Sequence, residues 1–506
     1  MKSTKFSHGG SVIMSNSETQ TGDDAVLVVG SGPTGAMAAA QLVARGVKVT
    51  MLDAGFTAPR GLVVRVGGNT LFRWKEMGLL ERDRHEHTPG AETEWVSSRS
   101  LGGLTNYWTA AVPRFAPEDF KEGALLDERY EWPVSYADLL PYYEIAEAAL
   151  VVTAGKPFAN FPENTARFRC TPPKDWSELA DRAERAGHHL GPLPMAKGSP
   201  WMVAARGTEF SSYHNVVASL LGSDLFTLVR GAQVTRLNWS NAEQRVESVD
   251  YIDRSSRRIS TMRGRAVVLA AGAVDTTTIL LRSISSEFPD GVGNSRGLIG
   301  RYLHDHPREW WPATPSQPMR ALAHPMYLAR QPYDAANPLF ASSLTIGLAS
   351  HRINTYLRRK TRSFGVQVFG TMIPRPEVGV SLPNAVSDGD ESRPLIDLRY
   401  DQAAIDNMVH ARQRLRDAFA AAGTSVAVDG PFHALTPGSS IHFGGTVRMH
   451  NSPEFGALDS WNRLYDAPNV IVCDSSCFTT GPEKNPTLTA MAIAARAGDR
   501  LADDLR

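Results

Sequence analysis

The chain has 506 residues, with 53 basic against 53 acidic side chains, 42% hydrophobic and 21% charged content. That is ordinary globular sequence for roughly two to four domains, with a core large enough to need no disulfides. Zero formal charge without a basic block gives no footing for nucleic acid, and no apolar run of about 18 residues or more offers a membrane span; three scattered cysteines (Cys170, Cys473, Cys477) fit a reducing cytoplasm better than a secreted disulfide framework.

In chain order, residues 1–22 are polar and lack a signal-peptide pattern, so they read as a disordered tail, with Met14 as an alternative start. Ala25–Gly30 (AVLVVG) is an apolar run suited to a central parallel strand. Gly30, Gly32 and Gly35 form Gly-x-Gly-x-x-Gly at its end, a small-residue helix spans Ala36–Arg45, and Val47–Leu52 makes a second strand with Asp53 just past it. Arg60–Leu80 and Trp95–Phe115 read as loops around a site, Asp138–Leu150 as a helix, and residues 153–210 as irregular. Strands are expected at Phe226–Val229 and Gln233–Trp239, a hairpin at Arg245–Asp253 and Arg258–Arg263, and a buried strand at Ala266–Ala271 leading into a helix at Asp275–Arg282. Residues 306–435 change to β-type runs (Phe364–Ile373, Val378–Leu382, Leu395–Tyr400) followed by one long helix, Asp401–Ala422. Asn469–Cys473 is a last parallel-type strand, and Asn485–Leu501 a terminal helix with Pro486 in its first turn. The fold class expected is α/β: a Rossmann-like nucleotide domain drawn from 23–100, 224–305 and 446–506, and an α+β domain on an antiparallel sheet drawn from 101–223 and 306–445.

A lone Gly-x-Gly-x-x-Gly is weak, but here a strand precedes it, a helix follows, and an acid ends the next strand. Gly30 permits the tight turn, Gly32 the approach of a pyrophosphate, and Gly35 close packing of helix on sheet, while the helix N-terminus meets phosphate charge. Asp53 is placed to accept hydrogen bonds from the adenosine ribose. Gly291–Gly297 (GVGNSRG) lacks the spacing and the strand of a second fingerprint, which favours a flavin reduced directly by substrate over a nicotinamide partner.

Two C-terminal segments carry chemistry: Ser440–Met449 (SIHFGGTVRM) and Asn485–Ala492 (NPTLTAMA). With Asp53-Ala-Gly, Gly102-Gly-Leu-Thr-Asn, Leu269–Leu281 and Gly300–Pro307 (GRYLHDHP), they make the chain resemble the glucose-methanol-choline flavoproteins along nearly its whole length. Within that family Thr105–Phe115, His442-Phe-Gly-Gly-Thr and Asn485-Pro-Thr-Leu-Thr-Ala-Met look most like pyranose oxidases and bacterial C-glycoside 3-oxidases. The resemblance implies an FAD enzyme that moves a hydride from a secondary hydroxyl to flavin N5, with His442 as base and Asn485 as its hydrogen-bonding partner. A neutral imidazole suits the proton step, and a carboxamide orients the hydroxyl without competing for the proton. It also places Gly103, Asn106, Thr109, Val234, Asp474, Asn485, Pro486 and Thr487 at the cofactor. Fungal pyranose oxidases attach flavin through a histidine before Trp-Thr; Tyr107 stands there, implying non-covalent FAD. His450 departs from the family's usual Gly.

On the substrate side Gln367 and Arg375 are candidates, as alternatives to plain sheet-surface residues. His304 and His306 read as structural, and no metal site is expected. The partners implied are a sugar or glycoside and O2 or another acceptor; a quinone-linked dehydrogenase, a sterol or simple-alcohol oxidase and a non-enzymatic flavin sensor stay open, as does the oligomeric state.

Overall fold

The computed structural model describes residues 24–59, 81, 84–196, 210–330, 341–347, 359–383, 393–428 and 436–506. The N-terminal tail and the Arg60–Leu80 loop expected from sequence lie outside them.

Five strands form a fully parallel sheet in the order Val470–Val472, Ala266–Leu269, Val26–Val29, Val49–Asp53, Phe226–Arg230. Strands from the start, middle and end of the chain thus lie side by side. Val26–Val29 and Ala266–Leu269 are buried on both faces, which is why both read as unbroken apolar runs. Helices Pro33–Ala44 and Thr487–Asp504 pack on each other through small residues: a Cβ on Gly498 would stand 2.9 Å from the Ala38 carbonyl oxygen. The expected hairpin pairs Arg258–Arg263 with Arg245–Asp253, and Ala232–Ser240 completes a three-stranded antiparallel layer.

A second sheet is antiparallel and six-stranded, in the order Val426–Val428, Arg308–Pro315, Phe364–Gly370, Ser342–Ile346, Met326–Leu328, Leu190–Pro192. Its alternation decides the site. Trp311, Leu344, Ile346, Val366, Val368, Met326 and Leu328 form a core with helices Lys174–Glu184 and Gln402–Ala421. Their neighbours in sequence therefore face the other way.

One expectation needs correction, and one grouping stands beside a shared core. Residues 153–210 are not merely irregular: Lys174–Glu184 is an amphipathic helix whose Trp176, Leu179 and Ala183 are buried. Residues 101–154, grouped by sequence with the antiparallel domain, contribute Val112, Phe115, Phe120, Trp132, Leu139 and Tyr143 to the core of the parallel sheet.

Candidate active site

The nucleotide turn follows from steric limits. Gly30 has φ +99°, and a Cβ there would meet the Ala270 carbonyl oxygen at 2.6 Å. Gly35 lies in the first turn of helix Pro33–Ala44, where a Cβ would come within 2.1 Å of the Gly30 carbonyl oxygen. At Gly32 an added Cβ meets nothing within 4 Å, and no side chain caps the helix that begins there. An open backbone at an uncapped helix N-terminus is the cradle a pyrophosphate requires. Asp53 takes Ser31 N–H (2.7 Å) and Oγ–H (2.6 Å) on Oδ2 and Gly55 N–H (2.6 Å) on Oδ1, and burial raises its pKa above the usual carboxylate value. The lone pair left on Oδ1 is the capacity available to a ribose hydroxyl. Ser31 Oγ also accepts from Gly102 N–H at 2.9 Å, which draws the Gly102–Gly103 turn over Gly32; a Cβ on Gly103 would be 3.7 Å from Gly32 Cα. These features fit FAD's adenosine diphosphate half.

The other expected cofactor contacts divide. Thr109 is exposed, just before Ala110 at φ +63°. Val234 is buried on strand Ala232–Ser240, and Pro486 and Thr487 open helix Thr487–Asp504. The Asn106 side chain is spent on its own loop: Nδ2 donates to the carbonyls of Leu101 and Gly103, and Oδ1 accepts from Ser211. Asp474 is saturated by Gly272 N–H, Thr276 Oγ–H, and Ser476 N–H and Oγ–H. Both side chains fasten loops near the C-terminal edge of the sheet. Arg375 lies after strand Phe364–Gly370, half-buried and tied to the Arg399 carbonyl (3.3 Å) and to Glu377 (3.6 Å).

His442 and Asn485, 43 positions apart in sequence, converge: His442 Nε2 is 3.2 Å from Asn485 Nδ2. The histidine is held by a segment that sequence had marked as structural. Asp305 accepts the backbone N–H of His442 at 2.8 Å on Oδ1, together with the Ser440 hydroxyl, and Tyr400 O–H at 3.2 Å on Oδ2. His306 packs edge-on against the His442 ring (5.0 Å between centroids), and Phe369 lies 5.0 Å from it on another side. His304 fills the space behind: a Cβ on Gly444 or Gly445 would approach its ring nitrogens to 2.6 Å. The Gly-Gly after His442 thus makes room for a second buried imidazole, and Gly445 also needs its φ of +90°. Ile441 sits at φ +61°, an outlier for a β-branched residue and the kind of strain that surrounding contacts must hold.

Burial, then the neighbouring His306 and Arg308, keep the His442 pKa well below the ordinary imidazole value, so the ring is neutral near pH 7. Burial likewise lowers His306 to about 4; its Nδ1 is 3.1 Å from the Gly370 carbonyl, which makes Nδ1 the donor. Tandem histidines flanking an aspartate were the available signal, but it first suggests a metal; their actual use is to pin and pack the loop.

Across the antiparallel sheet, Tyr327 pairs with Thr345, Thr345 with Gln367, and Gln367 with Trp310. This row shares the face of Phe369, so Gln367 points to the side on which His442 stands. Tyr327, Thr345 and Trp310 were not singled out by sequence; alternation along buried strands would have found them.

Comparison with known proteins comes out as follows. The GMC oxidoreductase profiles match residues 25–308 and 380–494. The chain is 28% identical to 2-methyl-1,2-propanediol dehydrogenase of Mycolicibacterium austroafricanum, covering 94% of both chains. It is 27% identical to paromamine 6'-oxidase of Streptomyces fradiae, covering 95% of this chain and 91% of that one. Pyranose 2-oxidase of Lyophyllum shimeji and C-glycoside 3-oxidase of Microbacterium trichothecenolyticum each match at 24% identity over 81% of this chain, and 72% and 76% of theirs. In fold it is similar to pyridoxine 4-oxidase from Mesorbium loti, with TM-score 0.67 at 18% identity over 94% of this chain and 99% of that one. No helix among the described residues is long and apolar enough to cross a membrane.

Proposed function

The chain belongs to the GMC oxidoreductase family, FAD-binding enzymes that oxidise CH–OH groups, and from that premise we propose that it oxidises a secondary hydroxyl of a pyranose or glycoside, C-glycosides included, to the ketone, with O2 as acceptor and hydrogen peroxide as co-product. The observation that carries the proposal is the 3.2 Å approach of His442 Nε2 to Asn485 Nδ2. FAD, when bound, supplies the acceptor for the hydride leaving carbon. The substrate hydroxyl would dock beside the pair and bridge both side chains: neutral His442 accepts its proton at Nε2, and Asn485 Nδ2 donates to its oxygen. With both contacts made, the C–H bond has one orientation left. Asp305 fixes the backbone that carries the imidazole, and His306 and Phe369 pack against its ring.

We further propose that Gly30, Gly32, Gly35, Asp53, Gly103, Thr109, Val234, Pro486 and Thr487 hold the cofactor, with Asn106 and Asp474 shaping the loops. Tyr107, where a covalent link would otherwise form, is buried with its hydroxyl 3.1 Å from Ser100 Oγ, which supports non-covalent FAD. Gln367, with Thr345, Tyr327 and Trp310 in its row, supplies hydrogen bonds and an aromatic face suited to a sugar ring. The division into a cofactor part (23–100, 224–305, 446–506) and a substrate part (101–223, 306–445) stands as a proposal with residues 101–154 as the bridge, and three free cysteines support a cytoplasmic location.

A second reading is favoured by the 28% identity to a diol dehydrogenase: a small alcohol as substrate and an acceptor other than O2. Anaerobic bleaching of the flavin by D-glucose, O-glycosides, C-glycosides and 2-methyl-1,2-propanediol separates the substrates, and peroxide formed under air against turnover with an added quinone separates the acceptors. His442→Ala is expected to keep the flavin and lose at least about 100-fold in bleaching rate; an unchanged rate rejects His442 as the base.

A further inference from the structure

Five ionisable side chains are shut away directly behind Asn485, and neither the proposed chemistry nor the nucleotide fit uses them. Lys484 Nζ lies 2.9 Å from Asp119 Oδ2 and 2.9 Å from Glu483 Oε1. Arg330 grips Glu122 with two contacts, at 2.6 and 3.1 Å, and stands 3.8 Å from Asp119 and 3.6 Å from Glu483. All five are at most 4% exposed. Arg414 on helix Gln402–Ala421 acts on Glu483 as well, so three cations serve the three carboxylates. Burial lifts Glu122 to about 7.

Such a cluster is poor value as stability, since apolar packing of the same volume often does as well or better. What it offers is fixed placement. Its members come from three separate parts of the fold: the turn Pro117–Phe120 and helix Glu122–Leu126, Arg330 two residues beyond strand Met326–Leu328 of the antiparallel sheet, and the segment leading into helix Thr487–Asp504. Asp119 also accepts Ala116 N–H, which fixes its own turn. The Glu483 carbonyl accepts Ser343 Oγ–H at 3.0 Å, from the strand next to that of Phe369. The backbone at 483–484 is therefore clamped from two sides, by the 117–126 segment and by the antiparallel sheet, one peptide before Asn485.

We propose that Lys484 is a positioning residue: with Asp119, Glu122, Arg330 and Glu483 it fixes the backbone on which the Asn485 carboxamide meets His442. The proposal rests on the reading of that pair as the substrate-facing pair. A neutral contact tolerates sliding, whereas a buried ammonium between two carboxylates does not, because a slip leaves charges unpaired in a dry site. Misplacement of a reacting group by about 1 Å costs on the order of 100-fold in rate, and a 3.2 Å contact leaves no margin for it.

The test uses flavin-loaded Lys484→Met, Lys484→Arg, the charge-balanced double variant Asp119→Asn/Lys484→Met, and Lys484→Met on an Asn485→Ala background. Crystal structures of the variants measure the separation of residues 442 and 485 without any substrate. The separation is expected to open beyond about 3.5 Å in Lys484→Met and in the double variant, with flavin absorbance retained. With whichever alcohol of the panel above bleaches the parent enzyme, kcat is expected to fall about 100-fold with KM within about twofold, and Lys484→Arg to recover most of it. On the Asn485→Ala background Lys484→Met is expected to add less than about twofold. A separation staying near 3.2 Å, or an equal loss on both backgrounds, overturns the proposal. A parent enzyme bleached by none of the alcohols sinks the functional reading instead, and the crystallographic separation still decides the positioning. Where Lys484→Met fails to fold, the double variant, which removes one charge of each sign, decides in its place.

Discussion

The same substitution three residues apart should have opposite consequences in this fold. At Gly35 an alanine methyl would stand 2.1 Å from the Gly30 carbonyl oxygen and 3.2 Å from Ala270 Cβ. The first contact is with backbone, so helix Pro33–Ala44 must move off the sheet by about 1 Å. Overpacking of this kind costs about 1–3 kcal/mol or more, against a gain of about 1 kcal/mol from alanine's helix propensity. At Gly32, by contrast, φ is −59° and ψ −180°, conformations open to alanine, and the methyl meets no protein atom within 4 Å. Apoprotein carrying Gly32→Ala should be unchanged or stabilised by about 0.4–1 kcal/mol, through the smaller entropy of its unfolded chain. Under the proposed assignment the methyl would nevertheless stand where the cofactor phosphates approach the backbone. Urea unfolding of flavin-stripped protein, with flavin-to-protein absorbance ratio of the reconstituted enzyme, separates the two effects. Gly35→Ala is expected to lower the midpoint, and Gly32→Ala to leave it unchanged while flavin occupancy collapses. Full flavin occupancy in Gly32→Ala, or an apoprotein as weakened as Gly35→Ala, would refute the assignment of the open cradle to the pyrophosphate.

Asp305→Ala leaves the His442 N–H without its acceptor in a buried loop, at a cost of about 1–3 kcal/mol. It should lower both the urea midpoint and the bleaching rate, whereas Asp305→Asn, which keeps a carbonyl oxygen, should stay close to the parent in both; equal behaviour of the two variants would count against the pin. His306 is neutral in the fold, with a pKa of about 4 against 6.5 unfolded. Below pH 6.5 the unfolded chain therefore binds a proton that the fold refuses, and the stability present above 6.5 is lost as pH falls toward 4. His306→Gln should reduce the acid sensitivity of the urea midpoint between pH 6 and 5 by up to about 1.4 kcal/mol per pH unit. A parallel pH dependence in parent and variant would show that His306 is not buried neutral.

The nucleotide turn was legible because its demands are short-range: Gly30, Gly32 and Gly35 each answer a constraint met within one βαβ unit or its neighbouring strand. Helix Gln402–Ala421 was legible for the same reason, with Asp401 accepting Ala404 N–H as its cap. Helix Lys174–Glu184 was missed although Trp176, Leu179 and Ala183 recur at helical spacing, because the prolines at 172 and 173 and the charges around them outweigh three apolar residues. Of the site, His442 and Asn485 were found through family resemblance and not through any local pattern. Periodicity records which way a side chain faces, a property of a few neighbouring residues, and this much the sequence determined by itself. The partner a buried charge meets is set by where distant segments come to rest. Asp305 beneath the His442 loop and Asp119 against Lys484, 365 positions away, leave no trace in any window of the chain, and only the tertiary arrangement of the segments that carry them decided them.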